Sequence, residues 1–338
     1  MAMQYLPARR GALYLVPQGT DGTYAAPTQA SDKALQVADF AWAWEGGAIT
    51  PDDDVSPYGG GLPSYMGNLA ARCTFSIRVP AWPGSRNAAD LPALAALLAA
   101  CPLSSDYSGT SALFKPISTM TTGVGLAIVP VSLTFLETGG DVWSLVDVVC
   151  RVVEVKQDAG ALMLGFEALG KTRGSSTVVT LATASLTIAD VAYTTVTPLP
   201  SRGAALTLSG PGGSATFAVR DFAGNPGQEL AAVESIVDTY GYAVGAAQNR
   251  PAATLALTVT KTDVSGRNLI GAFLAQTQVT AASLVWGSGA SAFTFELGGN
   301  CAVTEYALGE DAGVRTAEIT VRSPWVSGND QFLMRWGA

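Results

Sequence analysis

The chain is predicted to be mainly β: two tandem, similar antiparallel β-sandwich or barrel-like domains, each with one flanking α-helix and long loops. Three observations predict it. The first is composition: 48% apolar and only 14% charged residues, with 37 Gly and 18 Pro, describe many short strands and turns around a large core. The second is period-two alternation. Phe75, Ile77 and Val79 point one way and Thr74, Ser76 and Arg78 the other, and Leu255, Leu257 and Val259 repeat the pattern. The third is an internal repeat. Cys150, Val152 and Glu154, followed by Asp158 and Gly160, return as Cys301, Val303 and Glu305, followed by Asp311 and Gly313. An alternating strand that turns on Asp-x-Gly is a hairpin signal, and finding it twice indicates duplication. A length of 338 residues suits roughly two domains, placed here at 1–175 and 176–338.

Taken in order, residues 11–16 form a first strand, and the Gly- and Thr-rich stretch 18–27 a loop. Residues 35–44 form a second strand, with Phe40, Trp42 and Trp44 on one face. Residues 45–69, rich in Gly and Pro around Asp52, Asp53 and Asp54, read as a long exposed loop or a loosely held hairpin. The strand at 74–79 precedes the strongest helix signal, 90–101. There Asp90 is placed to cap, Pro92 suits the first turn, Leu91, Leu94, Leu97 and Leu98 make one stripe, and Pro102 ends the helix. Strands follow at 126–136, 143–155 and 161–168. The second half repeats the order: a strand at 217–222, a long connection over 223–249, a strand at 254–260, a short helix over 265–276, then strands at 282–286, 292–297, from Cys301, and at 316–321. Val37-Ala38-Asp39-Phe40 matches Val219-Arg220-Asp221-Phe222 in the same order.

Several function classes are disfavoured. There is no histidine, which removes the commonest general base and metal ligand and every Ser-His or Cys-His nucleophile pair. No Gly-x-Ser-x-Gly elbow is present, and Leu208 to Gly213 lacks the lysine and helix of a phosphate loop; the chain reads as no enzyme, with no cofactor. Asp52, Asp53 and Asp54 lack the alternating ligands and glycine of a calcium loop and read as a solvated acidic turn. The cysteines at 73, 101, 150 and 301 fit no zinc or disulfide spacing and are expected to be buried, in a reducing compartment. A net charge of −8 without a basic stripe argues against gripping nucleic acid by its phosphates. The apolar runs 94–103 and 126–136 are too short to span a bilayer, and the opening residues carry no apolar core behind Arg9 and Arg10; no signal peptide and no membrane partner are expected.

The order of several short motifs resembles the tail tube (major tail) proteins of long-tailed bacteriophages, in the two-domain type of about 300 residues. The stretch from Gln18 through Tyr24, Pro27 and Thr28, with Leu35 to Asp39, is similar to the family's opening. Pro80-Ala81-Trp82 and Leu97-Leu98-Ala99-Ala100-Cys101 resemble its next segment, although Gly84-Ser85-Arg86-Asn87 is inserted and Ala99 replaces an arginine. Asp221-Phe222-Ala223-Gly224-Asn225 resembles a strand end of its second half. Gly309 to Gly313 and Gly328-Asn329-Asp330 resemble its closing segment. The likeness spans nearly the whole chain, and none of its motifs is catalytic.

The resemblance implies a structural virion protein that self-assembles, in the host cytoplasm, into stacked rings forming a hollow tube. DNA would pass through that tube without specific binding. With two similar domains per chain, three copies make a pseudo-sixfold ring, with a hexameric ring as the alternative. Partners implied by the family are the tape-measure, tail-tip and tail-terminator proteins. The loops at 45–69 and 223–249 are the candidate contacts along the tube axis, through Asp52, Asp53, Asp54, Tyr58, Tyr65, Tyr240 and Tyr242, the tyrosines offering large contact area. The inner wall is expected to carry more acidic than basic side chains. The rival readings are another β-rich assembly protein: a phage decoration protein or the inner tube of a contractile system.

Overall fold

The computed structural model describes residues 11–20, 22–49, 65–117, 128–137, 140–158, 160–187, 191–193, 197–200, 204–210, 213–234, 242–249, 252–260, 278–279, 281–298, 301–324 and 331–337. The chain is mainly β, with one α-helix among these residues and antiparallel ladders throughout.

The first set of strands comprises β1 (Gly11–Pro17), β2 (Ala38–Ile49), β3 (Tyr65–Arg78), β4 (Leu103–Tyr107), β5 (Ala112–Pro116), β6 (Val131–Glu137), β7 (Asp141–Asp158), β8 (Ala161–Lys171) and β9 (Val178–Thr180), with α1 (Pro92–Ala99) between β3 and β4. The second set comprises β10 (Ala205–Gly210), β11 (Gly213–Asn225), β12 (Gln228–Glu234), β13 (Tyr242–Asn249), β14 (Ala253–Thr260), β15 (Gln278–Val279), β16 (Ala281–Trp286), β17 (Phe293–Leu297), β18 (Cys301–Asp311), β19 (Val314–Ser323) and β20 (Phe332–Trp336).

One main sheet runs β2-β3-β8-β7-β11-β14-β19-β18-β15. A second layer covers one of its faces. Over the first set it is β1-β6-β7-β9; over the second it is β11-β10-β16-β17-β20-β5-β4. The layers share long strands that bend. β7 passes from one layer to the other at a bulge between Val146 and Val149, where Asp147 takes φ +50. Aspartate tolerates that left-handed conformation better than most residues, and its carboxylate is used there. It accepts from the Gly22 amide at 2.7 Å and pairs with Lys171 at 3.1 Å.

The alternating apolar positions of the main sheet face the second layer, as their period demands. Phe40 stacks on Phe135 with centroids 3.7 Å apart, and Phe222, the residue matched to Phe40 by sequence, meets Trp286 at 4.8 Å. Beneath α1 lie Leu94, Leu97 and Leu98, all buried. Asp90 does not cap that helix. Its N-cap position is Leu91, without a side-chain cap, because the Asp90 carboxylate turns back to the Asn87 amide, 3.0 Å away.

Two long connections take on strand structure. Of the two readings of 45–69, the described ends follow the hairpin: β2 continues to Ile49, β3 begins at Tyr65, and the two strands pair. The long connection over 223–249 contains the β12–β13 hairpin, because Gln228 to Val233 pair in register with Val244 to Asn249. The helix expected over 265–276 lies outside the described residues.

Candidate functional site

The feature that bears on function is how the strand ladders repeat and what they leave open. In the first set, Ala41 pairs with Thr74, Thr74 with Glu167, and Leu164 with Val155. In the second, Ala223 pairs with Ala256, Ala256 with Thr320, and Ala317 with Leu308. Shifting β2 and β3 by 182 residues, and β7 and β8 by 153, converts the first three pairs into the second three. β2-β3-β8-β7 and β11-β14-β19-β18 are therefore four-stranded arrangements with the same order and register. The turns agree too: Gly160 and Gly313 both follow Asp-Ala and both take positive φ, 81° and 77°, as a hairpin turn of this kind needs. The covering strands correspond as well. β6 pairs with β1 and β16 with β10; β9 adds to the start of β7 and β20 to β17. What β7 does as one strand, β17 and β18 do as two.

The two arrangements meet head to tail. β7, the last strand of the first, pairs with β11, the first of the second, through Ala223 opposite Lys156 and Gly224 opposite Val155. Gly224 leaves room that a Cβ would take from the Phe295 ring, 2.9 Å away. The joint is doubled in the covering layer. There β5 pairs with β20, and Trp336 sits among Trp82, Phe114 and Phe293 at 4.7–5.5 Å between centroids, with its indole N–H on the Pro80 carbonyl at 3.0 Å.

A head-to-tail joint leaves one strand of each kind at the ends. Among the described residues, β2 pairs only with β3, and β18 beyond Ala302 pairs only with β19. Both edges carry large apolar side chains in water: Trp44 is 46% exposed and Leu308 60%. Edge strands of soluble proteins ordinarily avoid this, because open donors and acceptors beside apolar groups invite another strand.

The face of the main sheet turned away from the second layer is polar, and several of its charges are paired, while Arg78, Glu318 and Arg322 on it are exposed. Glu167, nearly buried, lies between Arg72 and Arg151, and Arg72 also meets Glu45. Lys156 meets Glu154, and Arg220 meets Asp311. The β12–β13 hairpin rests on this face. Leu230 packs on Ala70 and Leu169; Arg151 donates to the Gln228 carbonyl at 2.7 Å, and the Gln228 side chain accepts from the Val152 amide at 2.8 Å.

Of the assembly residues expected from sequence, Asp52, Asp53, Asp54, Tyr58 and Tyr240 lie outside the described residues. Tyr65 opens β3 opposite Ile49, and Tyr242 opens β13 opposite Glu234. Sequence reasoning did not single out Trp44 and Leu308. No local signal could have found them, because their strands are marked as edges only by the β7–β11 joint, which the fold alone shows. All four cysteines are buried and free; burial pushes the Cys301 thiol up to about 11 and raises that of Cys150 further. Among the described residues no group of three or more His, Cys, Asp or Glu is placed to hold a metal, and no helix is long and apolar enough to cross a membrane. No protein-family model matches the chain, and no curated protein matches its sequence.

Proposed function

We propose that this protein is the subunit of a hollow tube of stacked rings, the tail tube of a long-tailed bacteriophage, through which DNA passes. The observation that carries the reading is the head-to-tail joint. The chain joins two like four-stranded arrangements edge to edge and presents the two complementary edges at its ends. A contact between unlike surfaces, repeated by rotation, closes into a ring. Three chains place six such arrangements around one axis.

The main sheet is the inner wall of this ring. An outer layer must span a longer circumference, and the covering layer carries the additional β4–β5 hairpin, which joins it through β20. The face turned to the lumen is then the polar one, where Arg72, Arg151 and Lys156 are held by carboxylates. Cations so engaged attract phosphate weakly, as a wall that must release DNA requires. A net charge of −8 works in the same direction.

Negative-stain microscopy of the purified chain across a concentration series tests the proposal. Hollow cylinders whose mass per ring corresponds to three chains are expected. Six full chains per ring would overturn the stoichiometry, and particles that remain single chains at every concentration would overturn the tube.

A further inference from the structure

We propose that the contact between neighbouring copies is a continuation of the main sheet, in which β18 of one copy pairs antiparallel with β2 of the next. Ala43 then lies opposite Ala307 and Trp42 opposite Leu308. The inference deepens the ring reading and rests on it.

The register comes from the joint the chain already makes. In β7–β11, Gly224 faces Val155 and Ala223 faces Lys156. The shifts that superpose the two sets of ladders carry Gly224 back to Trp42 and Ala223 to Ala41; they carry Val155 forward to Leu308 and Lys156 to Gly309. Extending this antiparallel register by one residue beyond Trp42 and Leu308 brings Ala43 opposite Ala307. The occupant of each edge is a second copy of this chain, because each edge is the counterpart of one partner in an interface that exists within it.

The side chains agree with this placement. Even-numbered positions of β2 point toward the core side: Phe40 and Trp42 pack against the core, and Trp44 continues their row into solvent. On β18 the exposed Leu308 belongs to the matching row, so Trp42 and Trp44 gain an apolar neighbour on the same side of the sheet. Ala43 and Ala307, both exposed, share the opposite side and leave room for close strand approach. One like-charge meeting results, Glu45 opposite Glu305. It falls at the bulge between Val303 and Glu305, and Arg72 already holds Glu45.

Disulfide trapping reads the register directly, since two cysteines bridge only when their Cα atoms lie about 4.4–6.8 Å apart. The native cysteines are buried and do not compete. The full-length double variant Ala43→Cys/Ala307→Cys, oxidised at assembly concentration, is expected to give chain-to-chain multimers, with neither single variant doing so. Ala43→Cys/Glu305→Cys, a register slipped by two residues, is expected to cross-link at least tenfold less. Leu308→Lys in the native background is expected to weaken self-association at least tenfold without moving the unfolding midpoint.

If microscopy shows tubes but the Ala43–Ala307 pair does not cross-link, or cross-links no better than the slipped pair, the edge assignment is overturned and the tube reading stands. If neither multimers nor tubes form, both fall.

Discussion

Glu167 sits between Arg72 and Arg151 on the polar face of the main sheet, nearly out of contact with water. Removing its charge leaves two guanidinium groups close together with Glu45 as the remaining carboxylate beside them. Breaking such a pair costs several kcal/mol when fully buried; because the arginines are a quarter exposed, Glu167→Gln is expected to cost about 2 kcal/mol. Urea denaturation measures it, and a change within error would mean the network contributes nothing. The cysteines supply a pH signature. Burial raises the thiols of Cys73, Cys101, Cys150 and Cys301, so the folded chain keeps protons that the unfolded chain releases. Their contribution is full below the ordinary thiol value of about 8.5 and shrinks as pH rises through the raised values. The thermal midpoint is therefore expected to fall from pH 9 upward, and Cys150→Ala to flatten that slope. A thiol reagent should label no cysteine before unfolding; prompt labelling of the native chain would contradict the burial described.

At the scale of elements, the strands that bend or join carry the architecture. Asp147 lets β7 leave one layer for the other, with positive φ, a bound amide and an ion pair at a single residue. Asp147→Asn keeps the backbone preference and loses the charge; Asp147→Val loses both. Unfavourable conformations of this kind cost about 1–3 kcal/mol, so the valine variant is expected to be the less stable by roughly that margin in chemical denaturation. Equal losses would show that the bend depends on the ion pair alone. Trp336 ties β20 of the second set to β5 of the first. Its replacement by alanine is expected to cost about 3–5 kcal/mol and to make the regions around β5 and β20 exchange amide hydrogens faster together. Faster exchange confined to β20 would mean the aromatic cluster does not couple the two sets.

For the whole molecule, the spacing of the Cys-x-Val-x-Glu hairpins, the Asp-Phe pairs and the alternating strands at 75 and 255 made the repeat legible, since each is a local pattern of two-residue period and turn chemistry. The structure keeps the repeat and corrects its alignment: the Asp39-Phe40 and Asp221-Phe222 pairs and the two Asp-Ala-Gly turns fall at the shifts that superpose the ladders, whereas Cys150 falls on Val303 rather than Cys301, and Phe75 rather than Ile77 falls on Leu257. The seam was not legible. β5 joining β20, and β7 joining β11, are contacts between distant segments, and no local pattern encodes which edge meets which. For the same reason the long second-half connection read as a loop: an alternating segment of small residues such as Ala246 and Ala247 carries little hydrophobic signal until the polar face beneath it is known. Asp90 illustrates the limit at short range. Its position suits a cap, and a competing amide three residues back takes its carboxylate.

By itself the sequence determined that the chain is a β protein built on a repeated hairpin, sparsely charged with an acidic balance and without histidine. Composition and period act residue by residue, and no partner is needed to state them. Only the tertiary structure decided that the two like arrangements lie head to tail in one continuous sheet and that β2 and β18 form its ends. Main-chain donors and acceptors are the same in every strand, so which edges pair and which stay open depends on how the whole chain packs.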